Sequence, residues 1–364
     1  MKNTFGTSVF VTIFGESHGE AVGAVLDGMA PGIPVDEEYI KERLSLRRPM
    51  SAISTGRSEP DNFKIVSGVF NGFTTGTPIC IVIPNVAQKS ADYGDLYGKA
   101  RPGHADYSAF CKYHGYEDPR GGGHFSGRIT AAVVAAGAIA LTALSGIGVS
   151  VGTHISRLAG IDDRHFNDIQ ADLELLKNRE FGVLDETVAD KMTEKILSAR
   201  KEENSVGGIL ETAVLGVPAG VGEPWFDTVE GVLSHALFAI PAVKGVSFGL
   251  GFSFADALGS EANDCFALEN GSVTTKTNNN GGINGGITNG CPILFNCVVK
   301  PTPSISRPQE TVDFKKNEEV KLLIGGRHDP CIVHRARPVV ESITALAMCD
   351  LLATRFGTDY LEAK

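Results

Sequence analysis

Three of the nine histidines lie in segments of the sequence that are interrupted by glycine. His18 lies in a GESHG segment, His104 in RPGHAD, and His124 directly follows the three glycines of RGGGH. Imidazole titrates near neutral pH, so histidines in loops can donate and accept protons within one reaction. A hydrogen-bonded structural histidine is the alternative for each of them taken alone. Because no HxxxH or Cys/His spacing accompanies them, the sequence predicts no metal site.

Basic residues are concentrated in two parts of a chain that is acidic overall. Residues 41–57 hold five bases and one acid, and residues 300–337 hold eight bases and five acids. The whole chain has 33 basic and 43 acidic residues, a formal charge of −10. Clustered arginines bind carboxylate and phosphate groups through paired hydrogen bonds. The two segments therefore predict binding of a small polyanion, with a solvated surface or a subunit contact as the alternative.

The GESHG segment also fits the G-x-S-x-G pattern of the hydrolase nucleophile elbow. That elbow joins a strand to a helix, whereas residues 20–26 read as a second strand that ends at Asp27-Gly28. The pattern also falls at residue 17, before a sheet can be built around it. We therefore interpret Ser17 as part of a loop between two strands, and we keep a serine hydrolase as an alternative.

Two glycine runs, Gly121–Gly123 and the GGINGG of residues 281–286, allow backbone amides to approach a phosphate or a flat ring. Neither run matches GxGxxG or GxxxxGK[ST], so they give no direct support to a Rossmann fold or a P-loop. From these patterns we expect a protein that handles a small phosphorylated or carboxylated anion.

Strands and helices are predicted around these segments. The apolar stretches Val9–Phe14 and Ala21–Leu26 predict strands on either side of the His18 loop, and Asp36–Leu46 predicts a helix. Residues 93–128 are polar, rich in glycine and too long for a connector, which indicates a functional segment. A further helix is predicted from Val340 to about Arg355. Since no linker or repeat divides the chain, we expect one domain over residues 1–364.

The charge, the cysteines and the start of the chain favour a cytoplasmic protein. Binding to nucleic acid depends on a basic surface, which a chain of charge −10 does not indicate. The seven cysteines form no CxxC and their number is odd, so we expect reduced thiols. Residues 1–6 lack the apolar core and cleavage site of a signal peptide. We therefore expect no nucleic-acid partner and a cytoplasmic location.

One uncharged stretch, residues 129–153, is long enough to cross a bilayer. Alanine and glycine dominate it, and no belt of aromatic residues flanks it. Small residues allow a helix that is apolar on all sides to pack closely in a large core. We therefore expect a buried core helix and no membrane partner.

Three blocks of sequence, taken together, resemble the chorismate synthase family along essentially the whole chain. They are FGESHG at residues 14–19, RPGHADY at 101–107 with DPRGGG at 118–123, and GRHDPC at 326–331. The connecting pieces RRP at 47–49, EPD at 59–61 and KPT at 300–302 also fit the family. Each block alone is weak evidence, whereas all of them in order make a specific match.

The resemblance implies both a fold and a reaction. The fold is α+β, a β-α-β sandwich with a central helical layer between antiparallel sheets, and the chains assemble as homotetramers. The reaction is a 1,4-anti elimination of phosphate from 5-enolpyruvylshikimate 3-phosphate that gives chorismate, the last step of the shikimate pathway of aromatic amino-acid biosynthesis. It needs reduced FMN (FMNH2) without net redox change, and NADPH is a candidate reductant for the flavin.

The resemblance also implies roles for three catalytic residues. His18 would be the acid near the leaving phosphate. His104 would protonate or stabilise the reduced flavin near N1. Asp329 would lie near flavin N5 and help to pass on the proton taken from the substrate.

Binding residues are implied in the same way. The substrate-binding residues would be Ser17, Arg48, Arg57 and Arg128, and Arg47 would bind NADP. The residues implied to contact the flavin are His124, Phe125, Ser126, Ala242, Gly285, Lys300, Pro301, Thr302, Pro303, Ser304 and Arg327.

The chain departs from the family pattern at the edge that would bind flavin. Many members read RGGGRSSARET where residues 120–130 read RGGGHFSGRIT. His124 and Phe125 thus replace an arginine and a serine, and Ile129 replaces a glutamate. Loss of a fixed cation predicts weaker FMN binding, unless protonated His124 substitutes for it. Residues 50–54 also lack an arginine that relatives carry. A binding or regulatory protein that kept the fold and lost turnover is therefore the second hypothesis.

Overall fold

Two antiparallel five-stranded sheets enclose a layer of helices. The computed structural model describes residues 2–49, 53–54, 59–86, 97–269, 271–325 and 328–362. Its α-helices in those ranges are α1 (Glu37–Ser45), α2 (Asp106–Tyr113), α3 (Thr130–Gly146), α4 (Ile169–Lys177), α5 (Ala189–Lys201), α6 (Val229–Leu237), α7 (Gly259–Ala262) and α8 (Val333–Phe356). Its strands are β1 (Thr4–Phe5), β2 (Phe10–Gly15), β3 (Ala21–Asp27), β4 (Lys64–Ser67), β5 (Val69–Phe70), β6 (Phe73–Thr74), β7 (Ile79–Pro84), β8 (Ser150–Leu158), β9 (Ile161–Asp162), β10 (Gly208–Leu215), β11 (Val243–Phe248), β12 (Phe266–Glu269), β13 (Ser272–Thr275), β14 (Ile283–Asn284), β15 (Ile287–Thr288), β16 (Ile293–Val299), β17 (Gln309–Asp313) and β18 (Glu318–Leu322).

The strand order is β1-β2-β3-β7-β4 in the first sheet and β11-β16-β10-β8-β9 in the second. Every pair of neighbouring strands in both sheets is antiparallel. Helix α3 packs on β3 and β7 of the first sheet, α8 packs on β8 and β10 of the second, and the two helices pack on each other. The predicted α+β sandwich with a central helical layer is therefore confirmed.

Helix α3 is the long apolar helix that the sequence predicts, and it is buried along most of its length. Residues Gly127–Gly146 are long and apolar enough to cross a membrane by length and composition, yet here they lie between the first sheet and α8. Small residues make this packing close. A Cβ at Gly137 would lie only 2.2 Å from Cβ of Ser342 in α8.

Helix α8 begins seven residues earlier than the sequence predicts and runs through Pro338. It also carries buried charges, which are costly unless they are paired. Glu341 accepts a hydrogen bond from the backbone N–H of Thr153 and pairs with Arg43. Asp350 accepts the backbone N–H groups of residues 7–9. These buried carboxylates therefore attach α8 to both sheets.

The strands around the His18 loop agree with their predictions to within one residue. In β2 and β3, Phe10 pairs with Asp27 and Gly15 with Val22, so residues 16–20 form a hairpin connection. The G-x-S-x-G pattern therefore joins two strands, as expected, and is not an elbow that leads into a helix. In helix α1, the Asp36 side chain caps the backbone N–H groups of residues 38 and 39.

Candidate functional site

The hairpin that carries Ser17 and His18 lies against the glycine segment, Arg120–Phe125. The backbone N–H of Ser17 donates to the carbonyl oxygen of Gly123 at 3.1 Å. The buried His18 ring lies on Gly121, where an added Cβ would be 2.2 Å from the ring Cε1 and 2.3 Å from Nδ1. The proposed acid is therefore held against backbone with no side chain between.

His104 lies against the next residue of the same glycine segment. A Cβ at Gly122 would be 3.0 Å from the His104 Cε1 and 3.2 Å from its Nε2. Gly121 and Gly122 have φ angles of 60° and 86°, a region that residues with a side chain rarely occupy. The fold thus brings His18 and His104, 86 positions apart in sequence, to consecutive glycines.

A carboxylate and a guanidinium surround His104. Asp106 Oδ1 lies 2.9 Å from the His104 Nδ1 and accepts from Arg101 Nη2 at 2.6 Å. Asp106 Oδ2 accepts from Arg101 Nε at 2.8 Å. Burial disfavours ionisation of Asp106, but the hydrogen bonds from Arg101 and His104 outweigh it and hold the pKa of this carboxyl well below its usual range.

A cavity of about 360 Å³ opens beside His104 and His124. Its lining also includes Gly122, the basic residues Arg101 and Lys99, and six aromatic rings: Phe14, Tyr97, Tyr113, Tyr116, Phe125 and Phe314. Among the described residues, the buried side chains of Ser17 and His18 are not part of this lining. We call this space the aromatic cavity.

The two residues that replace the family pattern lie in the wall of the aromatic cavity. His124 Nδ1 donates to the carbonyl oxygen of Gly15 at 2.7 Å, so the ring is fixed against β2. The Phe125 ring meets the Tyr113 ring edge-on, with centroids 6.2 Å apart. A cavity of this volume falls within the ~300–1,000 Å³ range of ligand and cofactor sites. Flat aromatic walls next to cations and glycine backbone fit a planar anionic group such as FMN.

Part of the segment from Lys300 to Ser304 lies beside the His104 loop. The Lys300 amine donates to the carbonyl oxygen of Gly103 at 2.5 Å, and a Cβ at Gly103 would be 3.2 Å from Cβ of Pro303. The backbone N–H of Lys300 donates to the carbonyl oxygen of Ala242, which has a positive φ of 75°. Ala242, Lys300 and Pro303 are thus close to His104.

Four other residues that the resemblance implies as flavin contacts have contacts elsewhere or are described only by their exposure. Ser205 Oγ donates to the carbonyl oxygen of Thr302 at 2.7 Å, Pro301 is exposed, and Ser304 is half-buried. The Ser126 side chain accepts from the backbone N–H of Arg128. Ser126 thus caps the turn that leads into α3.

Gly285 lies at the other end of β16 from Lys300. It is in the exposed turn between β14 and β15, whereas Lys300 directly follows the last residue of β16. Gly281, four residues before Gly285, accepts a hydrogen bond from the backbone N–H of Leu294, near the start of β16. A seven-residue strand spans roughly 20 Å, so one chain does not bring Gly285 to the His104 loop.

Arg47 and Arg128 both bind Asp61. Arg47 Nη1 lies 3.0 Å from Asp61 Oδ2, and Arg128 Nη1 pairs with Asp61 Oδ1. Arg128 also donates to Asn85 Oδ1 at 2.8 Å and lies 3.3 Å from Glu59 Oε2. These contacts commit both guanidinium groups to the protein interior beside the start of α3.

Burial of Arg47 makes its charged form less favourable and so affects its pKa. Burial lowers the pKa of Arg47 to about 10, although Asp61 favours the charged form. The guanidinium also donates to the carbonyl oxygen of Gly127 and to Thr130 Oγ1, at 3.1 and 3.0 Å. Arg47 therefore connects α1 to the turn before α3.

Of the other arginines, Arg48 is exposed and donates to the carbonyl oxygen of Pro60 at 2.7 Å. It lines a second, more polar cavity beside α1, together with Glu38 and Asn62. Arg57 and Arg327 lie outside the described residues.

Asp329 is connected to Arg47 through Arg335. Arg335 Nη1 lies 2.5 Å from Asp329 Oδ2, and Arg335 Nε donates to the carbonyl oxygen of Arg47 at 2.7 Å. Sequence reasoning assigned no role to Asp61, Asp106 or Arg335, although Asp61 and Asp106 lie in segments that carry the family resemblance. These acidic residues are close in sequence to an arginine or a histidine, and that closeness is the feature that could have indicated a role for them.

Asp118 is a further acidic residue of the aromatic cavity that sequence reasoning left without a role. Arg120 donates to both of its oxygens at 2.8 Å. That hydrogen bonding, opposed by burial and supported by the nearby His18, lowers the pKa of Asp118. Within the described ranges no cluster of three or more His, Cys, Asp or Glu residues is arranged to bind a metal ion.

Comparisons with known proteins show the family and the fold of this chain. A family model described as chorismate synthase matches residues 9–353. A chorismate synthase of Pyrococcus abyssi is 47% identical over 351 residues, which cover 96% of this chain and 97% of that protein. A chorismate synthase of Korarchaeum cryptofilum is 44% identical over 358 residues, covering 95% and 96%.

A solved structure gives the same result in three dimensions. The crystal structure of a chorismate synthase superimposes with a TM-score of 0.76 at 28% identity, and the match covers 97% of this chain and 94% of that one. The resemblance that three sequence blocks predicted is therefore confirmed over the full fold. This chain belongs to the chorismate synthase family.

Proposed function

We propose that this chain converts 5-enolpyruvylshikimate 3-phosphate to chorismate and phosphate by a 1,4-anti elimination, with reduced FMN bound in the aromatic cavity. The observation that carries the proposal is the position of His18 and His104 on consecutive glycines of the glycine segment. Two imidazole rings, a group suited to proton transfer, are thereby held on one glycine segment, and His104 lines a cavity suited to a flat anionic ligand.

The residues that would hold the flavin are those of the aromatic cavity and its rim. Phe125 and Tyr113 offer ring faces and edges, and His124, His104 and Lys300 offer donors to anionic oxygen or nitrogen. When bound, reduced FMN supplies electron density and a basic nitrogen to the reaction. Water is partly excluded there because six aromatic rings line the walls.

His18 is the proposed acid for the leaving phosphate. The elimination breaks the carbon–oxygen bond to phosphate and removes one proton from the ring, so there is no net change of redox state. A proton held on the His18 ring stabilises the negative charge that develops on the departing oxygen. His104 stabilises anionic charge at the edge of the flavin, and Asp329 is the proposed route by which the ring proton leaves the site.

The proposed anion contacts need the arginines to exchange partners. Arg48, Arg57 and Arg128 are proposed for substrate, Arg327 for phosphate or flavin, and Arg47 for NADP. Arg47 and Arg128 already bind Asp61, so a ligand would have to compete with that carboxylate. Arg48 is exposed and can bind an anion without breaking a buried pair.

We further propose that residues 1–364 form a single domain, that the chain is cytoplasmic, and that it assembles as a homotetramer with NADPH as a source of electrons for the flavin. Assembly is supported by side chains that a monomer exposes at a cost. Trp225, Phe226 and Phe252 are exposed to 84%, 94% and 87%. Light scattering on the purified protein would measure the number of chains.

An anaerobic assay tests the proposed reaction. The protein is mixed with 5-enolpyruvylshikimate 3-phosphate and chemically reduced FMN, and chorismate and phosphate are followed together. We expect equal amounts of both, and we expect His18→Ala and His104→Ala each to slow the reaction by about 10²–10⁴-fold. Ser17→Ala should keep most of the activity, whereas a serine hydrolase would lose it.

Two outcomes would contradict the proposal. Tight binding of the substrate without turnover would favour the binding or regulatory protein, and it would direct attention to His124 and Phe125 in the cavity wall. Near-normal rates for both His18→Ala and His104→Ala would contradict the proposed roles of these histidines, even if chorismate is formed.

A further inference from the structure

Asp106 is the first residue of α2, and its carboxylate receives four hydrogen bonds from two nearby residues. The backbone N–H and Nε of Arg101 donate to Oδ2, at 2.9 and 2.8 Å. Arg101 Nη2 and His104 Nδ1 converge on Oδ1, at 2.6 and 2.9 Å. The paired contacts from Arg101 fix the plane of the carboxylate, so Oδ1 is held toward His104.

This arrangement decides which nitrogen of His104 carries a hydrogen in the neutral ring. An ionised carboxylate can only accept hydrogen bonds, so the nitrogen beside Oδ1 must donate. The Arg101 Nη2 group lies 3.0 Å from the same Nδ1, but it already donates to Asp106 Oδ1 at the shorter distance of 2.6 Å. Nδ1 is therefore protonated, and Nε2 is the nitrogen without a hydrogen in the neutral ring.

Nε2 is also the nitrogen on the side of the glycine segment. The position that a Cβ of Gly122 would occupy is 3.2 Å from Nε2, and Gly122 lines the aromatic cavity. A side chain on residue 122 would fill that space. Because Gly122 has no side chain, Nε2 of His104 is accessible from the direction of the cavity.

We propose that Asp106 is a positioning residue that fixes the orientation and tautomer of His104, so that Nε2 is the atom that exchanges a proton with, or donates to, the ligand in the aromatic cavity. This inference rests on the proposed function only in assigning a ligand to the cavity. Arg101 acts on Asp106 rather than on His104, because its hydrogen bonds prevent the carboxylate from rotating away from His104. An aspartate that orients a histidine through Nδ1 is an effective way to keep Nε2 available for catalysis.

Other charged groups face His104 from neighbouring elements and bear on its charge. Lys300 lies on the adjoining Gly103 carbonyl, and His18 lies on Gly121. The remaining titratable residues of the cavity wall are Glu16, Tyr97, Lys99, Tyr113, Tyr116, Glu117, Asp118, Arg120 and His124. Only Asp106 brings an anionic oxygen to Nδ1 among the described contacts of His104.

Nitrogen NMR of the free protein tests the tautomer directly. The His104 ring signals are assigned by comparison with His104→Ala. We expect the neutral ring to show a protonated Nδ1 in the native protein and a shift of population toward protonated Nε2 in Asp106→Asn. A protonated Nε2 in the native protein would overturn the inference, whether or not the variant folds.

A double-mutant cycle tests the role in the reaction. We expect Asp106→Asn to lower kcat by about 10²-fold with KM changed by less than about threefold, and to move the pH limb of kcat. Asp106→Glu should restore part of the rate. In the His104→Ala background, Asp106→Asn should cost less than about twofold, because the residue acts through His104. The control is Glu174→Gln, which removes a carboxylate from the exposed pair with Lys177 and should leave kcat unchanged.

The outcomes separate the two proposals. An equal loss from Asp106→Asn with and without His104 would show that Asp106 acts on α2 rather than on His104, and would overturn the inference alone. If the native protein forms no chorismate, the proposed function fails, and the NMR measurement still decides the tautomer.

Discussion

The ring of His18 occupies the space that a side chain at Gly121 would need. An added Cβ would be 2.2 Å from the ring Cε1 and 2.9 Å from Oγ of Ser17. His18 can therefore hold its position only while residue 121 is glycine. The glycines of this segment thus provide the backbone surface against which the ring of the proposed acid lies.

The first prediction follows from this contact. Gly121→Ala should destabilise the protein by about 1–2 kcal/mol, because its φ of 60° is unfavourable for a residue with a Cβ. It should also displace His18 and lower kcat at least ~10-fold. Urea unfolding and the anaerobic assay measure the two effects. Gly127→Ala is the matched control, since a Cβ there meets nothing within 4 Å; an equal loss of activity in both variants would contradict the prediction.

The second prediction concerns the carboxylate between two buried arginines. Asp61→Asn leaves Arg47 without its counter-charge and weakens the hold on Arg128. Removing one partner of a buried ion pair costs about 3–5 kcal/mol. Chemical denaturation should show a loss of this order, whereas Asp162→Asn in the exposed pair with Arg157 should cost less than about 1 kcal/mol. A loss at Asp61 as small as that at Asp162 would mean that the pair with Arg47 does not stabilise the fold.

The third prediction concerns a buried histidine of the second sheet. His154 Nδ1 lies 3.0 Å from Asp163 Oδ2, and its Nε2 lies 2.7 Å from Glu211 Oε2. Burial disfavours the charged ring, but hydrogen bonds to both carboxylates outweigh it and raise the pKa of His154. Burial opposes ionisation of both carboxyls, but His154, together with the backbone N–H groups of Leu184 and Asp185 for Asp163 and with His165 for Glu211, lowers the pKa of Asp163 and of Glu211.

The sign of the pH dependence follows from these directions. The raised pKa of His154 gives stability that is complete below its ordinary value of 6.5 and is lost as the pH rises through the higher folded value. The lowered pKa values of the carboxyls give stability that is complete above their ordinary values of 3.8 and 4.5 and is lost on acidification. The cluster thus contributes most between pH 4.5 and 6.5.

Unfolding free energies measured against pH check this third prediction. The difference between the native protein and His154→Gln should be largest in that window and should shrink toward alkaline pH. His165→Gln, which removes the exposed partner of Glu211, should change the curve little. A difference that stays constant from pH 5 to 9 would show that His154 is not charged in the folded protein.

The fourth prediction concerns the edge of the aromatic cavity that departs from the family pattern. His124→Arg replaces an imidazole donor to Gly15 by a permanent cation in the cavity wall. We expect reduced FMN to bind about 10-fold more tightly, equivalent to ~1.4 kcal/mol. An anaerobic absorbance titration measures the affinity, with His114→Arg on the exposed end of α2 as the control. Unchanged or weaker binding would show that His124 already serves as the anion contact.

Local patterns predicted the elements that depend on neighbours in sequence. The strands around His18 follow from the apolar stretches Val9–Phe14 and Ala21–Leu26, α1 from the helical stretch Asp36–Leu46, and the buried α3 from a run of small apolar residues. The beginning of α8 was missed, because Pro338 and the buried charges of its first turns resemble a loop in sequence. Their partners on other elements make this helical segment stable.

The sequence by itself determined the family and the three-layer fold and pointed to the histidines of the proposed site, because residue types in ordered blocks suffice for these. Only the tertiary structure decided which charges meet. Arg128 pairs with Asp61 across 67 positions, and His18 rests on Gly121 across 103. A hydrogen bond depends on distances below about 3.2 Å and on direction, and such distances arise only when the sheets and helices have packed. For that reason the sequence showed the arginines as free to bind ligand, whereas the fold commits two of them to Asp61.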